Sequence, residues 1–290
     1  MISVIIINNF MEIIPEFEWY KIVKELKRYK GTTILIGAVD TGKSTFTKYL
    51  IKELLTNKVR VLLVDSDIGQ SSLGIPGIIS MKRFDKPKDF DSFKPDKIFF
   101  VGYINPARKI SIMVDGTMEM IGIARTEGVK TILVDTTGLI AGNEGMTLKM
   151  GKIIAIKPKH ILALQEGDEL EHILSLIEGI CIHRLTVSPY ARKRKQKERI
   201  EYRSKKYLEY FKGSRTIKLL HRRFEFFYNG KKIDIQEEPI KAGCLIGINR
   251  NDKTVALGIF MGLLLDKMFL KSPLKSFKGI NRIVVGDIVP

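Results

Sequence analysis

At 290 residues, 44% apolar and with a formal net charge of +17, the chain can bury the core of one large α/β domain plus a smaller partner, and its charge points toward a polyanion. Its two cysteines, Cys181 and Cys244, make neither a disulfide framework nor a zinc site, so a reducing cytoplasm is expected. Residues 2–7 are too short an apolar run, with too little upstream positive charge, for a signal sequence, and the longest apolar stretch, 255–265, stops at Asp266 before it could span a bilayer.

Helical spacing of Phe17, Ile22 and Leu26 predicts a helix in an N-terminal extension, residues 1–30, packed on the core. An apolar run at 33–36 then leads into Gly37-Ala38-Val39-Asp40-Thr41-Gly42-Lys43-Ser44, a complete G-x-x-x-x-G-K-[ST] phosphate loop followed by Thr45 and a helical pattern over 44–56. The glycines let backbone N–H groups curl around a polyphosphate at a helix N-terminus. Lys43 would reach the β- and γ-phosphates, and Ser44 would ligate Mg²⁺. A nucleoside triphosphate, ATP in the first instance, is therefore expected as a ligand.

Strand-like runs follow at 59–64, 98–101, 131–134, 160–164 and 182–187, with helical segments near 107–126, 146–156 and 168–179. Continuous β-branched runs alternating with helices predict a doubly wound, mostly parallel P-loop sheet over residues 31–223. The strand at 59–64 runs into Asp65-Ser66-Asp67-Ile68-Gly69-Gln70. Ligands of such sheets bind beyond the strands' carboxyl ends, so two carboxylates there can divide magnesium ligation and proton abstraction; the bland reading is that one of them caps the next turn. Asp135, after the strand at 131–134, fits the second acid position of P-loop proteins. Asp135-Thr136-Thr137-Gly138 also suggests a GTPase switch, but Asn57-Lys58-Val59-Arg60 lacks the aspartate of a guanine-reading loop.

Residues 192–223 hold fourteen basic residues against three acidic ones, so +11 of the total +17 sits in one segment. Ile200, Tyr207, Leu208 and Phe211 recur there with helical spacing, which predicts a helix with one apolar and one basic face. Beyond residue 223, runs at 224–228 and 231–235 flank Asn229-Gly230, a type I′ hairpin signal, and runs at 245–248 and 254–259 flank a polar turn. A small β-rich subdomain over 224–290, completing and covering the sheet, is expected. His160, His172, His183 and His221 show no ligand spacing.

The phosphate loop, Asp65-x-Asp67-x-Gly69-Gln70, Gly102-Tyr-Ile-Asn-Pro106, Thr136-Thr137-Gly138 and the basic segment with Arg194 and Arg199 occur in this order. Together they resemble the polynucleotide 5′-hydroxyl kinase family, which includes RNA kinases of tRNA splicing, pre-mRNA cleavage and rRNA processing. The resemblance runs through about residues 30–212 and is closest to the compact archaeal form. It implies Asp67 as the base for the substrate 5′-hydroxyl and Asp65 as an organiser of magnesium. Gln70 would sit near the metal or acceptor end, and Thr136, Thr137, Gly138 and Leu139 would form the clasp over the terminal nucleotide. Arg194 and Arg199 would be lid arginines over the triphosphate, with the lid at 191–212. Many eukaryotic members carry tryptophan at the clasp position; leucine packs but cannot stack on a base as an aromatic does. The expected activity is ATP-dependent phosphorylation of RNA 5′-hydroxyl ends, with DNA as a second acceptor. Two alternatives stand beside it: a small-molecule kinase, for which the basic segment has no purpose, and a nucleotide-dependent RNA-binding protein without turnover.

Overall fold

Strand and helix alternate as expected in the computed structural model, which describes residue 13 and residues 15–290; the apolar run at 2–7 lies outside the described residues. Helix α1 (Phe17–Arg28) precedes β1 (Thr32–Gly37), α2 (Lys43–Thr56) and β2 (Val61–Ser66). Then come β3 (Ile78–Phe84), β4 (Lys97–Phe100), α3 (Ile110–Thr126), β5 (Thr131–Thr136), α4 (Gly142–Ile156), β6 (His160–Gln165), α5 (Glu171–Leu174) and β7 (Cys181–Thr186). The seven strands run in the order β4-β3-β2-β5-β1-β6-β7. The five from β2 to β7 are parallel, while β3 pairs antiparallel with both β2 and β4.

Period-two alternation sends neighbouring strand residues to opposite faces. Ile34, Ile36, Val64 and Val134 join Met113, Met120, Leu148 and Ile153 of α3 and α4 in one apolar layer. Leu35, Leu63 and Leu133 join Trp19, Leu26, Phe46, Leu50 and Leu54 of α1 and α2 in the other. Each fully buried side chain of this kind contributes about 1.5–3 kcal/mol, which is why β1, β2 and β5, buried at every position, read as unbroken apolar runs. Two elements differ from expectation. The helix expected at 168–179 is the four-residue α5, and β3 appears where charged Lys82 and Arg83 hid a strand.

The basic segment forms α6 (Gln196–Tyr210), and β8 (Arg215–Leu220), β9 (Glu225–Tyr228), β10 (Lys231–Ile233), β11 (Leu245–Arg250), β12 (Lys253–Leu264), β13 (Lys267–Ser272) and β14 (Arg282–Val285) follow. These build a second seven-stranded sheet, β10-β9-β14-β11-β12-β13-β8. Asn229 and Gly230 take φ of 53° and 76°, the positive values a type I′ turn requires. The C-terminal region therefore forms its own sheet and core rather than completing the first one. It also begins before the expected residue 224, because β8 pairs along its length with β13.

The sheets meet through β4 and β12. The Phe100 amide donates to Thr254 Oγ1 at 3.2 Å, and the Asp287 amide to the Gly102 carbonyl at 2.9 Å. Ile75, Phe100, Tyr207, Phe211, Leu245 and Leu257 fill the seam. Among the described residues, no helix is long and apolar enough to cross a membrane.

Candidate active site

The phosphate loop links β1 to α2 at the carboxyl end of the sheet. Gly42 has φ +82° and Asp40 φ +63°, which curl the backbone ahead of α2. At Gly37 a Cβ would lie 2.6 Å from the Leu164 carbonyl oxygen, so glycine lets β6 approach the loop. The Lys43 ammonium sits at the loop's centre and donates to the carbonyls of Gly37 (2.9 Å) and Ala38 (2.5 Å). Burial lowers its pKa, and the charges of Asp135, Asp67 and Asp40 oppose that shift. Thr41 donates to the Ala38 carbonyl at 3.0 Å. Thr45 follows Ser44 in the first turn of α2.

The three aspartates, close in the fold, have separate tasks. Asp65 is fully buried, and its Oδ2 accepts from the Ser71 hydroxyl, the Ser72 amide and hydroxyl, and the Leu73 amide at 2.7–3.1 Å. Its Oδ1 accepts the Asp67 amide at 3.0 Å. Most of its hydrogen-bonding capacity thus shapes residues 67–73, while Oδ1 carries a single amide. Asp67 takes part in the turn that the bland reading anticipated: its Oδ1 accepts the amides of Gly69 and Gln70, each at 3.0 Å. Its Oδ2 has no hydrogen bond among the described residues, so one oxygen fixes the carboxylate and the other remains available.

Asp135 Oδ2 accepts the Ser44 hydroxyl at 2.6 Å, while its Oδ1 is buried without a hydrogen-bond partner among the described residues. Burial, then the Asp65 charge, push its pKa up to about 7. An uncovered carboxylate oxygen beside a hydroxyl is a hard-oxygen donor set, and the pair fits a divalent cation.

Above the loop lies the basic segment. Helix α6 begins at Gln196, so Arg194 and Lys195 lie outside it, with Lys195 extended (φ −70°, ψ 156°). That placement frees Arg194 from the helical angle of about 140° that would separate residues five apart on one helix. Instead the Arg194 amide and the Arg199 guanidinium both donate to Asp40 Oδ2, at 2.8 and 2.7 Å. Gln70 bridges the acid loop and the lid, accepting from Arg194 Nη1 at 3.4 Å. Arg199 Nε is buried without a partner among the described residues, an unspent donor beside the phosphate loop. Tyr202 and Tyr207 donate to the carbonyls of Ser71 (2.7 Å) and Pro76 (3.1 Å), tying α6 to the acid loop. The apolar face is made by Tyr207 and Phe211, whereas Ile200 and Leu208, expected on it, are 48% and 74% exposed.

The clasp residues have unequal positions. Thr136 is buried within β5, and its hydroxyl donates to the Leu35 carbonyl at 2.7 Å, so it supports the sheet rather than facing a ligand. Gly138 packs on the phosphate loop, where a Cβ would lie 2.5 Å from the Val39 nitrogen. The Thr137 hydroxyl accepts the Leu139 amide at 3.2 Å, and Leu139 is half-buried against the α3–α4 layer. Two buried lysines of α4 had no sequence signal, since a lysine on a helix ordinarily reads as a solvated face. Lys149 donates to Thr136 Oγ1 (2.9 Å) and the Thr137 carbonyl (2.5 Å), and Lys152 to Ser66 Oγ (2.7 Å). Both are fully buried behind the aspartates.

A phosphate loop on a mostly parallel sheet, an acid at the end of the neighbouring strand and a basic segment held on the loop's Asp40 define a P-loop nucleotide-binding protein. The family described as mRNA cleavage and polyadenylation factor CLP1 P-loop matches residues 37–213, and the chain belongs to it. It is 40% identical over 194 residues to a Pyrococcus abyssi protein named polyribonucleotide 5′-hydroxyl-kinase, a match covering 67% of this chain and 54% of that one. A Methanocaldococcus jannaschii protein of the same name is 39% identical over 211 residues, covering 71% and 57%. The chain thus spans just over half the length of these curated relatives. Its fold is that of a solved Clp1p bound to a Pcf11p segment, with a TM-score of 0.75 at 11% identity, covering 94% of this chain and 79% of that one.

Proposed function

We propose that the chain transfers the γ-phosphoryl group of ATP to the 5′-hydroxyl end of RNA. The observation that carries this reading is the Asp67 carboxylate, held by two amides through one oxygen, beside a phosphate loop whose Asp40 takes the Arg199 guanidinium and the Arg194 backbone amide. Phosphoryl transfer asks mainly for alignment and charge neutralisation. The loop amides and Lys43 hold the phosphates, and Asp67 Oδ2 accepts the proton of the attacking hydroxyl. Arg199, whose Nε lacks a partner among the described residues, moves from Asp40 to the transferred group and stabilises its developing charge. Ser44 and Asp135 would hold Mg²⁺, which when bound neutralises phosphate charge. Gln70 and the segment 137–139, packed on the phosphate loop, line the acceptor side.

RNA is the acceptor favoured by the +11 concentrated at 192–223 and by the names of the archaeal relatives. The test is transfer of labelled γ-phosphate from ATP to matched RNA and DNA oligonucleotides with free 5′-hydroxyls. Magnesium-dependent labelling is expected, and Asp67→Asn should bind ATP normally yet lose transfer by ~10²–10⁴-fold. Labelling of a nucleoside but of no oligonucleotide would replace the reading with a small-molecule kinase. ATP and RNA binding without labelling would replace it with a nucleotide-dependent binding protein.

A further inference from the structure

The parallel register of β6 and β7 sets His160 opposite Cys181 and Leu162 opposite His183. Cys181 and His183 are two apart on one strand, so they share a face, and His160 joins them from the next strand. His160 Nδ1 lies 3.2 Å from His183 Nε2, and Cys181 Sγ lies 3.3 Å from that same nitrogen. Among the described residues, this is the one place where three His, Cys or carboxylate side chains bring ligand atoms within 4.8 Å of one another.

The tautomer of His160 follows from its other nitrogen. Nε2 lies 2.9 Å from the Tyr29 carbonyl, just past α1, and a carbonyl only accepts, so Nε2 carries the proton and Nδ1 presents a lone pair. A ring N–H anchored on a backbone carbonyl is the usual orienting partner of a metal-bound histidine. Protein hydrogen bonds alone serve the trio badly. A proton on His183 Nε2 can satisfy His160 or Cys181, not both at full strength, and without that proton two nitrogen lone pairs face each other. A cation takes all three lone pairs at once. With metal–nitrogen bonds of about 2.0–2.1 Å and a metal–sulfur bond of about 2.3 Å, a tetrahedral site has ligand separations of about 3.3–3.6 Å, close to the two that His183 Nε2 makes, and the third lies within 4.8 Å. Cys181 is exposed, giving an ion an entry path.

We propose that His160, Cys181 and His183 form a site for a zinc-class transition metal that pins the edge strand β7 and the end of α1 to the sheet. The site lies at the amino ends of β6 and β7. The phosphate loop lies at the other end of the sheet, where Gly37 pairs with Leu164, so the metal is structural and separate from phosphoryl transfer. Two nitrogens and a thiolate leave the fourth position to water.

Titration of the chelator-treated full chain with Co²⁺ tests this. One equivalent should give tetrahedral d–d bands and a thiolate-to-cobalt charge-transfer band, both displaced by Zn²⁺, and Zn²⁺ should raise Tm. Cys181→Ser, at an exposed position, should fold, lose the charge-transfer band and bind Zn²⁺ at least ~10–100-fold more weakly, the loss seen on removing even an outer-shell partner. His183→Gln, a second variant, should weaken binding while leaving ATP affinity unchanged. Absence of a charge-transfer band in the wild type, or equal Co²⁺ uptake by wild type and Cys181→Ser, would overturn the site.

Discussion

Lys152 is a fully buried cation with one hydrogen-bond partner, the Ser66 hydroxyl, among the charges of Asp67, Asp65 and Asp135. Burial drives its pKa down from 10.5 to about 7, against the opposing pull of those three carboxylates. Between pH 7 and 10.5 the unfolded chain therefore binds more protons at this group than the folded one. Stability then rises with pH across that window, by up to about 1.4 kcal/mol per unit, and is level with respect to this group below pH 7, where both states carry the proton. Asp135 acts in another window: raised from 3.8 to about 7, it makes stability fall as pH climbs across that range. Lys152→Met should flatten the alkaline rise, which urea unfolding at a series of pH values from 7 to 10 will show. A variant that keeps the wild-type slope would place the titration on another group.

The lid acts as an element because helix and preceding segment have different shapes. Arg194 reaches Asp40 through its backbone amide and Gln70 through its side chain, while Arg199 spends its guanidinium on Asp40. Arg199→Ala should therefore slow transfer more than Arg194→Ala, with RNA affinity falling less than kcat in both. A loss confined to salt-sensitive binding would mark these residues as backbone contacts instead. Strands buried on both faces were legible in the sequence because their side chains announce it. So was the phosphate loop, which depends on local spacing. β3 and β8 were not: Lys82 and Arg83 in one, Arg215 and Lys218 in the other, occupy positions that edge and half-exposed strands tolerate. Buried Lys149 and Lys152, the loop-shaping task of Asp65 and the meeting of His160 with Cys181 depend on tertiary contacts, which spacing along the chain does not encode.

Across the whole molecule, the seam between the sheets couples the second sheet to the lid. Phe100 occupies space left by three glycines: a Cβ on Gly247 would lie 2.7 Å from its ring, one on Gly286 2.8 Å, and one on Gly102 3.2 Å. Tyr207 and Phe211 of α6 enter the same apolar cluster, and the Tyr210 hydroxyl accepts the Leu257 amide at 2.9 Å. The far end of the lid helix is therefore anchored on the seam. Phe100→Ala should cost about 3–5 kcal/mol, with the loss concentrated between the sheets. Trp19, the single tryptophan, is buried in the α1–α2 layer of the first sheet and reports that layer alone, whereas far-UV circular dichroism reports both sheets. In the wild type the two probes should trace one urea transition. In Phe100→Ala the dichroism should begin to fall at lower urea than the fluorescence, and kcat should drop while ATP affinity holds, because the phosphate loop is intact and the lid helix has lost its footing. Coincident transitions at the wild-type midpoint would mean that the seam carries neither stability nor lid position.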